Sequence, residues 1–260
     1  MRRSGTVLPT ASFSGAEAGS APSGVCGAWL VEPAALYAAQ ARAAALFRAI
    51  EDHQLVRPGE SEERISRAIF DLAASEFGVK KHWHRRVIRS GPHTRMLFRE
   101  LPPDRTVEAD DIVSLDLGVV FGELEADFGR SYVLGDDPEK RRLVSDLATI
   151  FQDCRSLYLA SPRMTGRELF AYVCEASSER GWSFGGEHAG HLIGAFPFST
   201  EERNHPTNRI RPDNVWPMHA HGPQGEPRHW ILEVHLLDPT GAFGGFYEEL
   251  LCPPPDELDG

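Results

Sequence analysis

Two aspartates, Asp116 and Asp127, lie eleven residues apart in the segment SLDLGVVFGELEADFGRSYVLG. The segment is typical of two antiparallel strands, and a two-residue turn at Phe121 and Gly122 would place the aspartates directly opposite each other, with Cβ atoms about 4.5 to 5.5 Å apart. Carboxylates in that position repel each other unless a cation lies between them. The hairpin therefore suggests a divalent metal site. The alternative is that one or both aspartates point to solvent or lie in a bulge.

Three further segments carry groups of the same chemical kind. In HWILEVHLL, Glu233 lies between aliphatic residues of a predicted strand, where an unpaired carboxylate would carry a large desolvation cost. GGFYEELL places Glu248 and Glu249 in a similar setting, and GHLIG places His191 at the start of a short apolar strand. One such residue alone is ordinary, but four carboxylates and a histidine on separate strand patterns together indicate a metal site.

This order of residues resembles the pita-bread metallohydrolases, which include methionine aminopeptidase, aminopeptidase P, prolidase and creatinase. The resemblance covers roughly Glu32 to Leu251 and is strongest over the hairpin, over AGHLIG and over the last two acidic strands. It implies a curved antiparallel sheet with helices packed on its outer face. We expect no N-terminal domain of the kind that prolidases carry, so the resemblance implies a catalytic domain alone.

The resemblance implies two divalent metal ions held by five ligands, namely Asp116, Asp127, His191, Glu233 and Glu248. Asp127 and Glu248 would bridge both ions, Asp116 would complete one ion, and the remaining two ligands would complete the other. Glu249 would replace Glu248 only if the last strand were shifted by one residue, which turns the side chain to the opposite face. Oxygen-rich ligation with one imidazole suits Mn²⁺, Fe²⁺, Co²⁺ or Zn²⁺, and we favour Mn²⁺.

The resemblance also assigns chemistry beyond metal binding. The glutamate that matches Glu233 moves a proton to and from the attacking water, so Glu233 is the expected general acid and base. Family members carry two more histidines in the cleft, but the matching positions here hold Phe98 and Phe198. Phenylalanine cannot donate a hydrogen bond to an oxyanion, and each missing donor would cost about 2.7 to 4 kcal/mol in the transition state. His188, three residues before His191, is the expected catalytic replacement.

We expect four residues to line the substrate cleft, namely Phe98, Phe198, His93 and His221. Further groups could also enter it, namely His219, His229, His235, Arg95, Arg99 and Arg228. An arginine there would bind a substrate carboxylate through two hydrogen bonds. The alternative for the histidine-rich segment is a solvated polar loop.

The leading functional hypothesis is a hydrolase that uses two metal ions and an activated water to cleave an amide bond, as an aminopeptidase or an Xaa-Pro dipeptidase. The alternative is creatinase-like cleavage of a C–N bond in a small non-peptide substrate, because two phenylalanines give the cleft an apolar wall. A second alternative is a non-catalytic binding module that retains the fold. The expected partner is a short peptide or another small molecule, and homodimerisation is left open.

Helical periodicity predicts four helices, over residues 31–52 and 60–78, from Asp137 onward, and from a capping box at Thr165 to Gly181. Strand patterns cover residues 111–120, 126–135, 190–196, 228–237 and 244–251. Helices interleaved with hairpins predict the α+β class. We expect a disordered tail over residues 1–28, one domain over residues 29–260, and a long irregular connection over residues 198–227.

Composition excludes several classes of protein. The 260 residues carry 27 basic and 38 acidic side chains, a net charge of −11, which argues against a nucleic-acid partner or an anionic membrane surface. No apolar run has the roughly 20 residues of a membrane span. The four cysteines form no close pair, so we expect reduced thiols and a cytoplasmic protein. The basic segment KKHWHRRVIR is interpreted as a surface feature or a cleft rim.

Overall fold

The computed structural model describes residues 31–197, 200–223 and 225–252. The tail predicted over residues 1–28 lies outside this part, as does Phe198. The described helices are α1 (Pro33–Asp52), α2 (Glu62–Phe77), α3 (Pro138–Ala160), α4 (Gly166–Glu179) and α5 (Thr200–Asn204), with short 3-10 helices at Gly91–Arg95 and Pro206–Asn208. The strands are β1 (Lys81–His82), β2 (Val87–Ser90), β3 (Ile112–Phe121), β4 (Leu124–Val133), β5 (Ser183–Phe184), β6 (Gly190–Ile193), β7 (His229–Leu237) and β8 (Gly244–Leu250). Within the described residues, every helix is too short or too polar to cross a membrane.

Local signals in the sequence set the ends of the helices. Proline at the first position of α1, Pro33, has a fixed φ that suits a first helical turn. The Ser61 hydroxyl caps the start of α2, and Gly78 ends that helix with a left-handed φ of 64°. Thr165 and Glu168 form the predicted capping box at the start of α4. The four predicted helices therefore form where the sequence places them.

One antiparallel sheet contains all eight described strands. Its strand order is β1-β3-β4-β8-β7-β5, with β2 also paired to β3 and β6 also paired to β7. The sheet is curved and does not close on itself, and the overall class is α+β as expected. Because β8 lies between β4 and β7, the last strand joins the N-terminal strands β1–β4 to the later strands β5–β7.

The predicted register of the β3–β4 hairpin is wrong by two residues. Asp116 pairs with Gly129 and Asp127 pairs with Gly118, so the two aspartates are diagonal neighbours on one face of the sheet. The turn lies one residue later than predicted, at Gly122 and Glu123, because Gly122 adopts a φ of +66° that few other residues tolerate. Diagonal neighbours are about 7 to 8 Å apart at Cα, which leaves more room between the two carboxylates than direct opposition would.

The alternation of side chains along the strands separates the core from the acidic face. Leu115, Leu117 and Val119 of β3 are buried against the helices α1 and α2. Trp230, Leu232, Val234 and Leu236 of β7 are buried with α3 and α4 on the same side of the sheet. Residues at the intervening positions face the other way, because successive side chains of a strand point to opposite faces. The helices therefore cover one face of the sheet, and the acidic side chains lie on the other, where the start of α1 packs through Leu36 against Ile231 and Leu250.

The long connection between β6 and β7 is largely irregular, as predicted. Its described part contains only the short α5 and the 3-10 helix at Pro206–Asn208. Asn214 is buried within it and donates to the carbonyl oxygens of Thr207 (3.2 Å) and Arg209 (2.8 Å). The connection is therefore fixed by internal hydrogen bonds despite having little regular structure.

Candidate metal centre

The five predicted metal ligands come from five strands and line one cavity of about 820 Å³. Asp116 lies on β3, Asp127 on β4, His191 on β6, Glu233 on β7 and Glu248 on β8. Glu233 pairs with Glu248 across the β7–β8 ladder, so these two carboxylates share one face of the sheet. Asp127, His191 and Glu248 are buried, and the other two are partly buried.

Distances within the cluster are short enough for shared metal coordination. His191 Nε2 lies 3.3 Å from Asp127 Oδ2 and 3.7 Å from Glu233 Oε1. Asp127 and His191 also have donor atoms within 4.8 Å of a Glu248 oxygen. The Oε2 atom of Glu248 is buried and has no hydrogen-bond partner among the described residues. A buried, unpartnered carboxylate oxygen is costly, and a cation beside it would remove that cost. The donor set of this site therefore fits divalent metal ions.

Glu249, the alternative ligand, lies on the opposite face of β8. Its carboxylate forms an ion pair with Arg130 and accepts a hydrogen bond from the Tyr247 hydroxyl at 2.9 Å. The pleat of the strand therefore selects Glu248 for the cavity and directs Glu249 away from it.

Burial and mutual repulsion raise the pKa values of three carboxylates in the cluster. Burial raises the pKa of Asp116 to about 7, and burial together with the charges of Asp127 and Asp116 raises the pKa of Glu233 to about 8. Burial and the same two aspartates raise the pKa of Glu248 well above its usual range. Burial also acts to raise the pKa of Asp127, but the charge of a protonated His84 and the contacts of Asp127 with the His191 and His84 imidazoles outweigh it and lower that pKa. Without added positive charge the cluster therefore retains protons, as expected of a site that exchanges protons for metal ions.

A further histidine, His84, enters the cluster and was missed by the sequence analysis. Its Nε2 lies 3.1 Å from Asp127 Oδ1 and 3.3 Å from Asp116 Oδ1, and only 9% of its side chain is exposed. The segment KKHWHRRVIR is thus not only a surface feature or cleft rim, because it places a buried imidazole between two predicted ligands. The available signal was Gly118, a glycine inside an apolar strand, where a Cβ would lie 2.1 Å from His84 Cδ2.

His188 reaches the cavity as expected. Its Nδ1 lies 3.6 Å from Glu233 Oε2, and its Nε2 accepts a hydrogen bond from the Arg209 guanidinium. Burial, followed by the charge of Arg209, lowers the pKa of His188 to about 3, so the imidazole is neutral at neutral pH. Because an arginine can only donate, Nε2 is the acceptor and Nδ1 carries the proton.

Only some of the residues predicted to contact substrate line the cavity. Phe98 lines the cavity and is half exposed, and its ring packs edge-to-face against His84 with centroids 5.4 Å apart. His93 does not line the cavity, because its Nδ1 is held 3.0 Å from Glu62 Oε2. His221 is exposed and also lies outside the cavity lining. Those two predictions of substrate contacts are not supported, and Phe198 lies outside the described residues.

Of the other histidines and arginines considered from the sequence, some line the cavity and some lie away from it. His235 lines the cavity, and its Nε2 lies 2.8 Å from the Thr94 carbonyl oxygen. His219 stacks on Tyr158, and His229 bonds to the Val31 carbonyl oxygen, both away from the cavity. Among the arginines considered from the sequence, Arg99 lines the cavity, whereas Arg95 and Arg228 do not. Among the described residues, the arginines that line the cavity are Arg89, Arg99, Arg203, Arg209 and Arg211.

Comparison with known proteins identifies the family to which the chain belongs. Residues 34–225 match the model of metallopeptidase family M24. The chain is 28% identical over 150 residues to an Xaa-Pro dipeptidase of Pyrococcus furiosus and 25% identical to one of Pyrococcus horikoshii. Each match covers 58% of this chain, and the chain spans only 40% of the length of these curated relatives.

Solved structures show the same fold. The dipeptidase PepE of Mycobacterium ulcerans matches with a TM-score of 0.66 at 22% identity, over 85% of this chain and 56% of that one. A methionine aminopeptidase of Thermotoga maritima matches with a TM-score of 0.62 at 16% identity, over 86% of this chain and 99% of that one. These likenesses confirm the pita-bread fold.

Proposed function

Because the chain belongs to metallopeptidase family M24, we propose that it is a metal-dependent hydrolase that cleaves the amide bond of short peptides. One observation carries the proposal: five side chains with metal-ligand chemistry converge from five separate strands on a single cavity. Such convergence of mutually repelling carboxylates costs stability unless cations are bound. A protein of this fold that binds no metal would gain nothing from bringing these carboxylates together.

The proposed centre holds two divalent ions, with Mn²⁺ favoured. Asp127 would be shared by both ions, because it belongs to both groups of candidate ligands, one with His84 and Asp116 and one with His191 and Glu248. The resemblance assigns the same role to Glu248, which lies on the adjacent strand β8. When bound, such ions polarise the scissile carbonyl group and lower the pKa of the attacking water. The protein's part is to position the substrate, move the protons and exclude competing groups.

Glu233 is the proposed general acid and base. It is the partly exposed carboxylate of the cluster nearest to His188, with 17% of its side chain exposed, so it can contact both the cluster and the open cavity. A carboxylate there can take a proton from the attacking water and deliver it to the departing amine. Its raised pKa in the absence of metal is typical of a carboxyl group that can hold a proton near neutral pH.

His188 is the proposed donor to the oxyanion that develops on the substrate. Its Nδ1–H has no hydrogen-bond partner among the described residues, and it lines the cavity beside Glu233. The Arg209 guanidinium fixes the tautomer by occupying Nε2. A donor already oriented before the reaction stabilises the transition state without reorganisation, which is the role expected of the cleft histidines that Phe98 and Phe198 replace.

The charge of the cavity favours an anionic substrate. Five arginines and five carboxylates line it among the described residues, so two bound divalent ions would leave it with a net positive charge. Arg209 and Arg211 lie on the side of His188, where their charges lower its pKa. A free carboxyl terminus of a dipeptide would suit them, since guanidinium groups bind carboxylates in pairs of parallel hydrogen bonds. Curated relatives named Xaa-Pro dipeptidases agree with this substrate class.

The proposal is tested with purified protein loaded with Mn²⁺ or Co²⁺. Xaa-Pro dipeptides, other dipeptides and their C-terminal amides are supplied as substrates, and hydrolysis is followed by mass spectrometry. We expect dipeptides with a free carboxylate to be cleaved, and their amides to be cleaved at least about tenfold more slowly, since a charged hydrogen bond is lost. Asp127→Asn serves as the control for contaminating peptidases. Full metal occupancy with no cleavage of any peptide would refute the peptidase assignment.

Phe98 favours a second candidate function, C–N bond cleavage in a small non-peptide substrate. It lines the cavity together with Trp83, and the Arg85 guanidinium lies 4.6 Å from the centroid of the Phe98 ring. Turnover of guanidino or ureido acids without turnover of dipeptides would select this candidate. A purified protein that binds no divalent metal would instead favour a non-catalytic binding module.

The proposal includes a cytoplasmic location. Three cysteines of the described residues, Cys154, Cys174 and Cys252, are unpaired, which is typical of a reducing compartment. Thiol titration of the denatured protein, isolated under conditions that block disulfide exchange, should detect free thiols only. Disulfide-bonded protein in that assay would contradict the location.

A further inference from the structure

We propose that His84 is itself a metal ligand, which together with Asp116 and Asp127 completes the coordination of one of the two ions. This inference rests on the proposed metal centre and extends it, because the resemblance that supplies the five other ligands assigns no such residue. With His84 as a ligand, each of the two ions would bind one imidazole, whereas the five-ligand set leaves one ion with oxygen donors only.

The distances around His84 are those of neighbouring ligands on one ion. Its Nε2 lies 3.1 Å from Asp127 Oδ1 and 3.3 Å from Asp116 Oδ1, two oxygens that belong to different strands. Ligands bound at about 2.1 Å and at right angles to each other lie about 3.0 Å apart. These three atoms lie within 4.8 Å of one another, so one ion can contact all three.

The hydrogen bond on the other ring nitrogen fixes the tautomer. His84 Nδ1 faces the carbonyl oxygen of Arg85, which can only accept, so Nδ1 carries a proton. In the neutral ring Nε2 then presents a lone pair to two carboxylate oxygens. That contact is repulsive unless Nε2 is protonated or a metal ion lies among the three atoms, and metal-binding histidines commonly donate their second N–H to a carbonyl group in this way.

His191, a ligand of the proposed centre, has the same arrangement. Its Nδ1 donates to the carbonyl oxygen of the next residue, Leu192, at 2.8 Å, and its Nε2 approaches Asp127 Oδ2 at 3.3 Å. Asp127 thus faces one imidazole with each of its two oxygens. A carboxylate that bridges two ions presents one oxygen to each, so the second imidazole lies where a ligand of the second ion is expected.

The surroundings of His84 hold the ring in this position. Gly118 provides the space, since a Cβ there would lie 2.1 Å from the ring. The rings of Trp83 and Phe98 pack edge-to-face against it, with centroids 4.3 and 5.4 Å away. Phe98 occupies the sequence position where family members carry a cleft histidine, so in this chain that position supports an imidazole that arrives from the β1–β2 connection. Packing of this kind orients a ligand before the metal binds.

The competing explanation is an ion pair, in which a protonated His84 neutralises the two aspartates and binds no metal. The two explanations differ in what Nε2 contacts when the centre is loaded. A ligand contacts the ion directly, whereas an imidazolium excludes an ion from that position.

The test counts histidine ligands by proton NMR of the Co²⁺-loaded protein. An imidazole bound to Co²⁺ through Nε2 places its remaining N–H close to the paramagnetic ion, which gives a strongly shifted signal that is lost in D₂O. We expect two such signals from the unaltered chain, one from His191 and one from His84. We expect one signal from His84→Ala and two from His82→Ala. The matched control, His82, is a partly buried histidine two residues away that lies outside the cavity lining.

Calorimetric titration of the metal-free protein with Co²⁺ provides a second readout. His84→Ala should weaken one of two binding events at least about tenfold and leave the other unchanged, and His82→Ala should leave both unchanged. One shifted signal in the unaltered protein with two bound Co²⁺ ions would overturn the inference and leave the proposed function standing. Absence of Co²⁺ binding would overturn both. The signal count needs no variant, so a His84→Ala protein that fails to fold does not obscure the result.

Discussion

Arg203 of α5 donates to the fully buried carboxylate of Glu125 on β4, with Nη2 and Oε1 2.7 Å apart. The same guanidinium lies 4.0 Å above the ring of Trp83. A single side chain thus ties the long β6–β7 connection both to the sheet, two residues from Asp127, and to the segment that carries His84. The connection is therefore part of the wall of the metal centre.

Arg203→Met should destabilise the protein by about 3 to 5 kcal/mol, because removal of one partner leaves a buried charge without compensation. The double variant Arg203→Met with Glu125→Gln should recover a large part of that loss. Urea unfolding monitored by circular dichroism measures both. If the single and double variants are equally unstable, the ion pair is not the source of the effect.

Glu248→Gln and Glu249→Gln should have opposite consequences for metal binding. The first removes a carboxylate that faces the cavity and should lower metal affinity about 100-fold or more, with loss of activity. The second alters a carboxylate that faces Arg130 and should leave the metal content unchanged. Elemental analysis of the two purified proteins makes the comparison. Equal metal loss in both variants would mean that the register of β8 differs from the one described.

Metal binding should become tighter as pH rises toward 8. Asp116 and Glu233, whose pKa values are raised to about 7 and 8 by burial, must release protons before they can coordinate an ion. Affinity should increase about tenfold per pH unit for each proton released. Calorimetry at pH 7 in buffers of different ionisation enthalpy counts these protons, and a binding enthalpy independent of the buffer would contradict the expectation.

The same raised pKa values predict the opposite trend for the stability of the metal-free protein. A carboxyl group that binds its proton more tightly in the folded state than in the unfolded state contributes stability at low pH. That contribution is lost as the pH rises from about 4 to about 8, so the metal-free protein should unfold more easily at pH 8 than at pH 6. Addition of Mn²⁺ at pH 8 should reverse the loss, which thermal unfolding scans with and without a chelator would reveal.

His188→Ala should lower kcat by about 10² to 10³ and leave the metal content unchanged, because the variant removes a transition-state hydrogen bond and no ligand. His53→Ala is a suitable control, since His53 lies at the surface beside Glu76. Steady-state kinetics with the best peptide substrate provide the measurement. A change confined to KM would assign His188 to ground-state binding instead.

The sequence indicated which acidic side chains of the strands would need a partner. Asp116, Asp127, Glu233 and Glu248 each interrupt an apolar strand, and a buried charge in such a setting requires a partner that the sequence alone can anticipate. The helices were equally predictable, because caps such as Ser61 and Thr165 act locally.

Features that depend on three-dimensional packing were beyond the sequence. The hairpin register depended on which two residues formed the turn, and Gly122 allowed either of two adjacent choices. His84 lies in a short irregular connection with no periodic pattern, and its path into the cluster depends on space that Gly118 leaves across the sheet. His93 was expected in the cleft from its proximity in sequence to Phe98, but Glu62 of α2 binds it instead.

Because β8 lies between β4 and β7, the two parts of the sheet are joined through this strand. Two separate apolar clusters pack on the described part of the sheet, and in the strand order β8 is the strand that lies between β4 and β7. Glu248 lies on that strand, so assembly of the candidate metal centre depends on a long-range strand pairing. A chain without β8 would therefore lack both the strand that joins the two parts of the sheet and the Glu248 carboxylate of the candidate metal centre.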